Sequence, residues 1–190
     1  MKPLGSTFFR RPAEVVARDL LGATIISTIG GRPCSGLIVE AEAYLGRGDP
    51  ASHAYLGRRH PGNESIYAPP GTWYVYRSYG IHWCANLVAR GPSDGSAVLI
   101  RALLPVTGAS RMLARRGDVA RRNLANGPGK LTQALGITRE LDGIAMPASP
   151  VVVGETSKRP VGEILVTPRI GITKARDWPL RFLLNDPPND

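Results

Sequence analysis

Glu40, Glu42 and Tyr44 alternate with Val39, Ala41 and Ala43. Side chains two apart on a strand share a face, so both carboxylates and the phenol project together. Two acids beside an aromatic ring suit a pocket, and paired carboxylates suggest hydrolysis of a glycosidic bond. Acids two apart on one strand point the same way, however, and do not naturally flank a substrate. The plainer alternative is the solvated outer face of an antiparallel sheet, which is the commoner use of such a pattern.

A second cluster lies between residues 72 and 89. Tyr74, Tyr76 and Ser78 share one face, Trp73, Val75 and Arg77 the other; His82, Cys84 and Asn86 alternate with Ile81, Trp83 and Ala85. Tyr79 and Gly80 stand between the two runs, at hairpin spacing, with Gly supplying the positive φ of a tight turn. Cross-strand packing accounts for Tyr74 or Tyr76. It accounts poorly for Tyr79, because hairpin tips usually carry small polar residues. An exposed ring on a narrow hairpin is a candidate wedge between base steps.

Arg101 is a charge inside the otherwise apolar run from Ala97 to Val106. Such a residue is paired or functional, and a structural salt bridge competes evenly with a role in a site. Ala125-Asn126-Gly127-Pro128-Gly129-Lys130 could cradle a phosphate at a helix N-terminus. On spacing alone it is more simply a loop-to-helix junction. Arg111, Arg115, Arg116, Arg121 and Arg122 crowd one segment and could merely solvate a helix.

The elements that must position these residues can be read in order. A helix opens at Arg11-Pro12, carries the stripe Val15, Val16, Leu20 and Leu21, and stops at Gly22. Strands follow at Ala23–Ile29 and Gly36–Tyr44, turning at Gly30-Gly31. Residues 45–71 are irregular and rich in Gly, Pro, Arg and His, a length that usually signals function or disorder. Strands at Thr72–Ser78 and Ile81–Ala89 form the hairpin, and Ala97–Leu104 is a buried strand. Residues 108–124 are expected to be helical, as is a short stretch from Gly127-Pro128 to Gly136. Short strands are expected at 151–153, 163–167 and 169–173. The expected fold is mixed α/β (α+β): one domain over 1–190, with a largely antiparallel curved sheet, flanking helices and a protruding hairpin. The polar, Pro-rich tail at 185–190 is expected to fray.

The chain has 190 residues, enough for a substantial core, and a formal net charge of +9. A surplus of that size fits a polyanionic partner, since Lys and Arg on phosphates release counterions. A basic surface that binds nothing is equally compatible. Two cysteines make no disulfide framework, and three histidines without paired cysteine spacing argue against a metal site. With no secretory or membrane-length apolar run, the expected location is the cytoplasm, or the nucleoid in a bacterium.

Taken together, several segments resemble the alkyladenine (3-methyladenine) DNA glycosylase family. They are Phe9-Arg10-Arg11-Pro12 with Ala17 to Gly22, IVEAEAYLG from Ile38, PGTWYVYRSYGIHWCAN from Pro70, VLIRALLP from Val98, NGPGKLTQAL from Asn126, and Pro168 to Gly171 with Pro179 to Phe182. They run in the family's order from residue 9 to about 182, and the two longest are far more specific than any short pattern. Residues 55–67 and 138–160 carry no clear match, and His82 stands where bulkier aromatics are common.

The resemblance implies a role for each matching residue. Glu42 is the general base, and Arg101 helps hold the attacking water. Tyr44, His53, Tyr76 and Asn86 form the base pocket, with Asn86 disfavouring normal guanine. Tyr79 fills the gap left by the extruded base. Arg58 and Lys130 are candidate phosphate or DNA contacts. The implied partner is double-stranded DNA containing damaged purines: 3-methyladenine, with hypoxanthine, ethenoadenine and 7-methylguanine as further candidates. The implied enzyme is a monomer with neither metal nor organic cofactor. The pocket segments contain no lysine to form a Schiff base, so it is expected to be monofunctional and to leave an abasic site. A non-catalytic nucleic-acid-binding module is the leading alternative, and a glycoside hydrolase acting on free sugars a more distant one.

Overall fold

Pro12, at φ −51°, sets up the first sizeable helix. In the computed structural model, which describes residues 1–154 and 162–185, a short turn of helix α1 (Ser6–Phe9) leads into α2 (Ala13–Leu20). The stripe Ala13, Val16, Ala17 and Leu20 is buried, and Gly22 takes a positive φ just beyond the helix. Strands β1 (Thr24–Ser27) and β2 (Cys34–Leu45) follow. The hairpin strands are β3 (Trp73–Ser78) and β4 (His82–Val88), and β5 (Ser96–Thr107) completes the centre of the sheet. Helices α3 (Ala109–Arg116) and α4 (Pro128–Leu135) precede the short strands β6 (Val151–Gly154), β7 (Ile164–Thr167) and β8 (Arg181–Leu184).

The architecture is a single mixed α/β domain built on a curled antiparallel sheet in the order β3-β4-β5-β2-β1-β6. The long strands β2 and β5 pair down its middle. The other edge of β2 is shared, with β1 pairing residues 34–37 and β8 pairing residues 40–42, and β7 pairs outside β8. The two faces of the hairpin divide as the alternation requires. Trp73, Val75, Ala85 and Leu87 join the main core with Leu20, Ile38, Ile100, Met112 and Leu131. Tyr74, Val88 and Ala97 form a smaller cluster with Ala54, Ile66 and Tyr67, under the irregular segment after β2. One face thus holds the core, while the other is roofed by a loop.

Two expectations change. The helix at 108–124 ends at Arg116, because Gly117 takes φ +77° and turns the chain; only a 3-10 turn at Arg121–Asn123 follows. Residues 169–173 do not form a strand: Gly171 takes φ +76° and Arg169 is buried. The last strand is instead β8, further on. The tail expected to fray lies, from residue 186, outside the described residues. Among the described residues no helix is long and apolar enough to cross a membrane.

Gly46 closes β2 and starts the roofing loop. It has φ +69°, and a Cβ there would lie 2.3 Å from the Asp94 carbonyl oxygen. Gly46→Ala is therefore expected to cost more than about 2 kcal/mol, from left-handed strain plus overlap with backbone. Urea unfolding checks this; a loss under 0.5 kcal/mol, roughly that of a neutral surface change, would contradict it.

Candidate active site

Glu42 lies in the middle of β2 and its side chain is fully buried. Three donors meet its carboxylate. The Ile170 amide donates to Oε1 at 2.8 Å, while the Tyr44 hydroxyl (3.0 Å) and Arg101 Nη1 (3.2 Å) donate to Oε2. Glu40, on the same face, accepts at Oε1 from Arg101 Nε (2.9 Å) and Arg181 Nε (2.6 Å). Arg181 also donates to the Thr167 hydroxyl at 3.2 Å. The strand face with the two acids is therefore no solvated outer face. It is a ladder of alternating charge: Arg181, Glu40, Arg101, Glu42.

Arg101 reaches both acids because of a bulge. Glu40 pairs with Ala102 and Ala41 with Ile100, leaving Arg101 as the extra residue on β5. Bulges re-aim a side chain without ending the strand pair. Burial works against the Arg101 charge, but Glu42 and Glu40 outweigh it and raise the guanidinium pKa. Burial, with Glu42 adding to it, pushes the Tyr44 phenol well above its ordinary value, so the hydroxyl remains a donor.

Beside this ladder is a cavity of about 480 Å³. Its wall includes Tyr44, His53, Tyr76, Tyr79, Asn86 and Arg101, six of the residues singled out in the sequence. Glu42 itself stands behind that wall, and its three hydrogen-bond partners, Tyr44, Arg101 and Ile170, all belong to cavity-lining residues. His53, on the roofing loop, shares a 2.6 Å hydrogen bond between Nδ1 and the Tyr74 hydroxyl. Its ring meets Tyr76 edge-on, with centroids 4.5 Å apart. Asn86 is held by its Nδ2, which donates to the Tyr74 carbonyl at 3.1 Å.

Tyr79 is 87% exposed at the hairpin tip. It has φ +50°, Gly80 has φ +67°, and the Ile81 amide closes the turn on the Ser78 carbonyl at 3.0 Å. The left-handed conformation costs a non-glycine residue about 1–2 kcal/mol. A large ring kept exposed and strained beside a cavity points to use rather than packing.

Two expected contacts sit elsewhere. Arg58 lines an adjoining groove of about 800 Å³ with His60, Arg77, Arg139 and Lys174. Lys130 lines neither hollow and donates to Asn126 Oδ1 at 2.8 Å. Sequence reasoning missed the Ile170 amide, Arg181, Tyr74 as the partner of His53, and a buried ion pair between Asp49 and Arg169. Ile170 and Arg181 fall within segments that carried the family resemblance, but a backbone N–H has no signature in a sequence.

The family described as methylpurine-DNA glycosylase matches this chain over residues 7–188. Proteins named as 3-methyladenine DNA glycosylases are similar across nearly its whole length. One from Rhodopseudomonas palustris (strain CGA009) is 50% identical over 179 residues, covering 94% of this chain and 83% of the relative. One from Granulibacter bethesdensis is 49% identical, covering 92% and 81%. One from Methanoculleus marisnigri is 47% identical over 188 residues, covering 95% and 94%.

Burial, with His60 adding to it, lowers the His53 pKa below its ordinary 6.5. The unfolded chain therefore takes up this proton first as pH falls. The associated stability is complete above about pH 6.5 and is lost as pH falls below that value. NMR titration should give His53 a midpoint below 6.5. The urea midpoint of the wild type should fall more between pH 7.5 and 5.5 than that of His53→Gln; equal falls would contradict the assignment.

Proposed function

The chain belongs to the methylpurine-DNA glycosylase family and is a DNA N-glycosylase, and from that premise we propose a monofunctional repair enzyme that flips a damaged purine from duplex DNA and hydrolyses its glycosidic bond with water activated by Glu42. One observation carries this reading. A buried carboxylate, held by Arg101, stands directly behind an aromatic cavity whose wall includes an exposed, strained tyrosine.

A base cannot be attacked at its sugar while it is stacked, so it must leave the helix at a cost of a few kcal/mol. Tyr79 offsets that cost by filling the gap. The purine enters the cavity between Tyr44, Tyr76 and His53, where each stacking contact is worth about 1–3 kcal/mol. A neutral His53 suits a cationic alkylated purine, because an imidazolium would repel it. Asn86, held from behind by Tyr74, reads the purine edge. Arg58, lining the basic groove beside the cavity, and Lys130, at the start of α4, are assigned to DNA phosphates.

In the hydrolysis, water oxygen bonds to C1′ and the C1′–N9 bond breaks. The purine leaves with the bonding pair, and the water proton passes to Glu42. The same carboxylate stabilises the oxocarbenium character that develops at C1′. To accept that proton, Glu42 must release one donor. The Tyr44 hydroxyl is the neutral donor on Oε2, and its side chain lines the cavity. We assign the exchange to it, leaving Arg101 to hold the water. Among the described residues no lysine lines the 480 Å³ cavity, which supports hydrolysis without a Schiff base. A cationic 3-methyladenine leaves readily, whereas neutral hypoxanthine or ethenoadenine depends more on Glu42.

Duplexes carrying one hypoxanthine or one alkylated adenine, treated with enzyme and then alkali, test this. The wild type should leave an alkali-labile abasic site, and Glu42→Gln should slow release by about 10²-fold or more. No release from either lesion, with binding unaffected by Glu42→Gln, would leave a non-catalytic binding module. Breakage before alkali would overturn hydrolysis without strand cutting.

Tyr79→Ser should weaken excision at limiting enzyme yet preserve the single-turnover rate at saturation. Equal activity at limiting enzyme removes the wedge role.

A further inference from the structure

We propose that the buried ion pair of Asp49 and Arg169 is the positioning device of this site, fixing the Ile170 amide on Glu42 and thereby leaving Oε2 as the oxygen that serves the cavity. This rests on the hydrolytic role given above to Glu42. Neither side chain is exposed, and neither lines the cavity. They are positioning residues, not catalytic ones.

The pair is bidentate, with Arg169 Nη1 to Asp49 Oδ2 at 2.5 Å and Nη2 to Oδ1 at 2.9 Å. Its further bonds all go to segments that carry the site. Arg169 Nη1 donates to the Ala43 carbonyl at 3.0 Å, and Asp49 Oδ2 accepts from the Leu45 amide at 3.1 Å. The backbone is thus held on both sides of Tyr44. The Arg169 guanidinium lies 4.7 Å from the centre of the Tyr44 ring. Asp49 Oδ1 accepts from the Ala51 amide at 3.0 Å, two residues before His53. The next residue after Arg169 is Ile170, whose amide meets Glu42 Oε1.

Stability alone accounts poorly for such a pair. Buried ion pairs often break even against apolar replacements. Arg169 Nε also has no hydrogen-bond partner among the described residues, which adds a cost. What the pair supplies is alignment. With Oε1 held by a fixed backbone donor, the carboxylate cannot rotate, and Oε2 stays against Tyr44 and Arg101, whose side chains meet it at the cavity.

The test uses the full chain with Asp49→Asn and Arg169→Lys, each keeping the volume and changing the bidentate pairing. Three quantities are measured: the single-turnover excision rate at saturating enzyme, the affinity for a duplex containing hypoxanthine, and the Ile170 amide NMR shift. The expected result is a rate lower by about 10²-fold, the scale of a small misplacement. Affinity should stay within about twofold, and the Ile170 amide should move while hairpin amides do not. An unchanged rate or an unmoved Ile170 amide in folded variants overturns the proposal. Loss of folding in both variants assigns the pair to stability and overturns it too. If the wild type releases no base, the hydrolytic reading fails, while the Ile170 shift still decides whether the pair positions that amide.

Discussion

A carboxylate with no solvent exposure in the middle of a sheet costs several kcal/mol unless its charge is met. Around Glu42 the compensation comes from three separate parts of the chain. Arg101 comes from the neighbouring strand, the Tyr44 hydroxyl from the same strand, and the Ile170 amide from a distant loop. Removing any one leaves a buried acceptor short of a donor. The positions of β5, β2 and the loop before β8 are therefore coupled through one side chain.

That coupling explains the irregular features around it. An arginine reaching two acids on a neighbouring strand needs an extra residue in its own strand, which the bulge at Arg101 supplies. Two cations then share Glu40, since Arg181 meets it from β8. The short pairing of β8 with residues 40–42 brings Arg181 to the ladder from the other edge of β2. The roof over the same face brings His53 to Tyr74 and Tyr76, closing the aromatic side of the cavity. Core burial governs one face of the sheet and electrostatic compensation the other.

Much of the site was legible because strand periodicity is strict. Glu42 and Tyr44 had to share a face, and so did Tyr74 and Tyr76. Arg101 was conspicuous as a charge in an apolar strand, with a structural salt bridge and a role in a site left level. It is salt-bridged to Glu40 and Glu42 and also lines the cavity. The overrun of the third helix came from passing over Gly117, a stop signal present in the sequence. The missing strand at 169–173 had a different cause. Residues there satisfy a buried ion pair and a carboxylate, not a ladder of backbone bonds.

The sequence by itself determined which side chains share a face, where the hairpin turns, and, through long matching segments, the family. Those properties follow from local periodicity and residue type. Only the tertiary structure decided that Glu42 stands behind the cavity wall, that Tyr44 and Arg101 share its Oε2, and that Asp49 meets Arg169 across 120 residues of chain. Partners so far apart are chosen by how the sheet curls and the loops cross it. Hydrogen-bond direction and burial are properties of that arrangement, and no spacing along the chain encodes them.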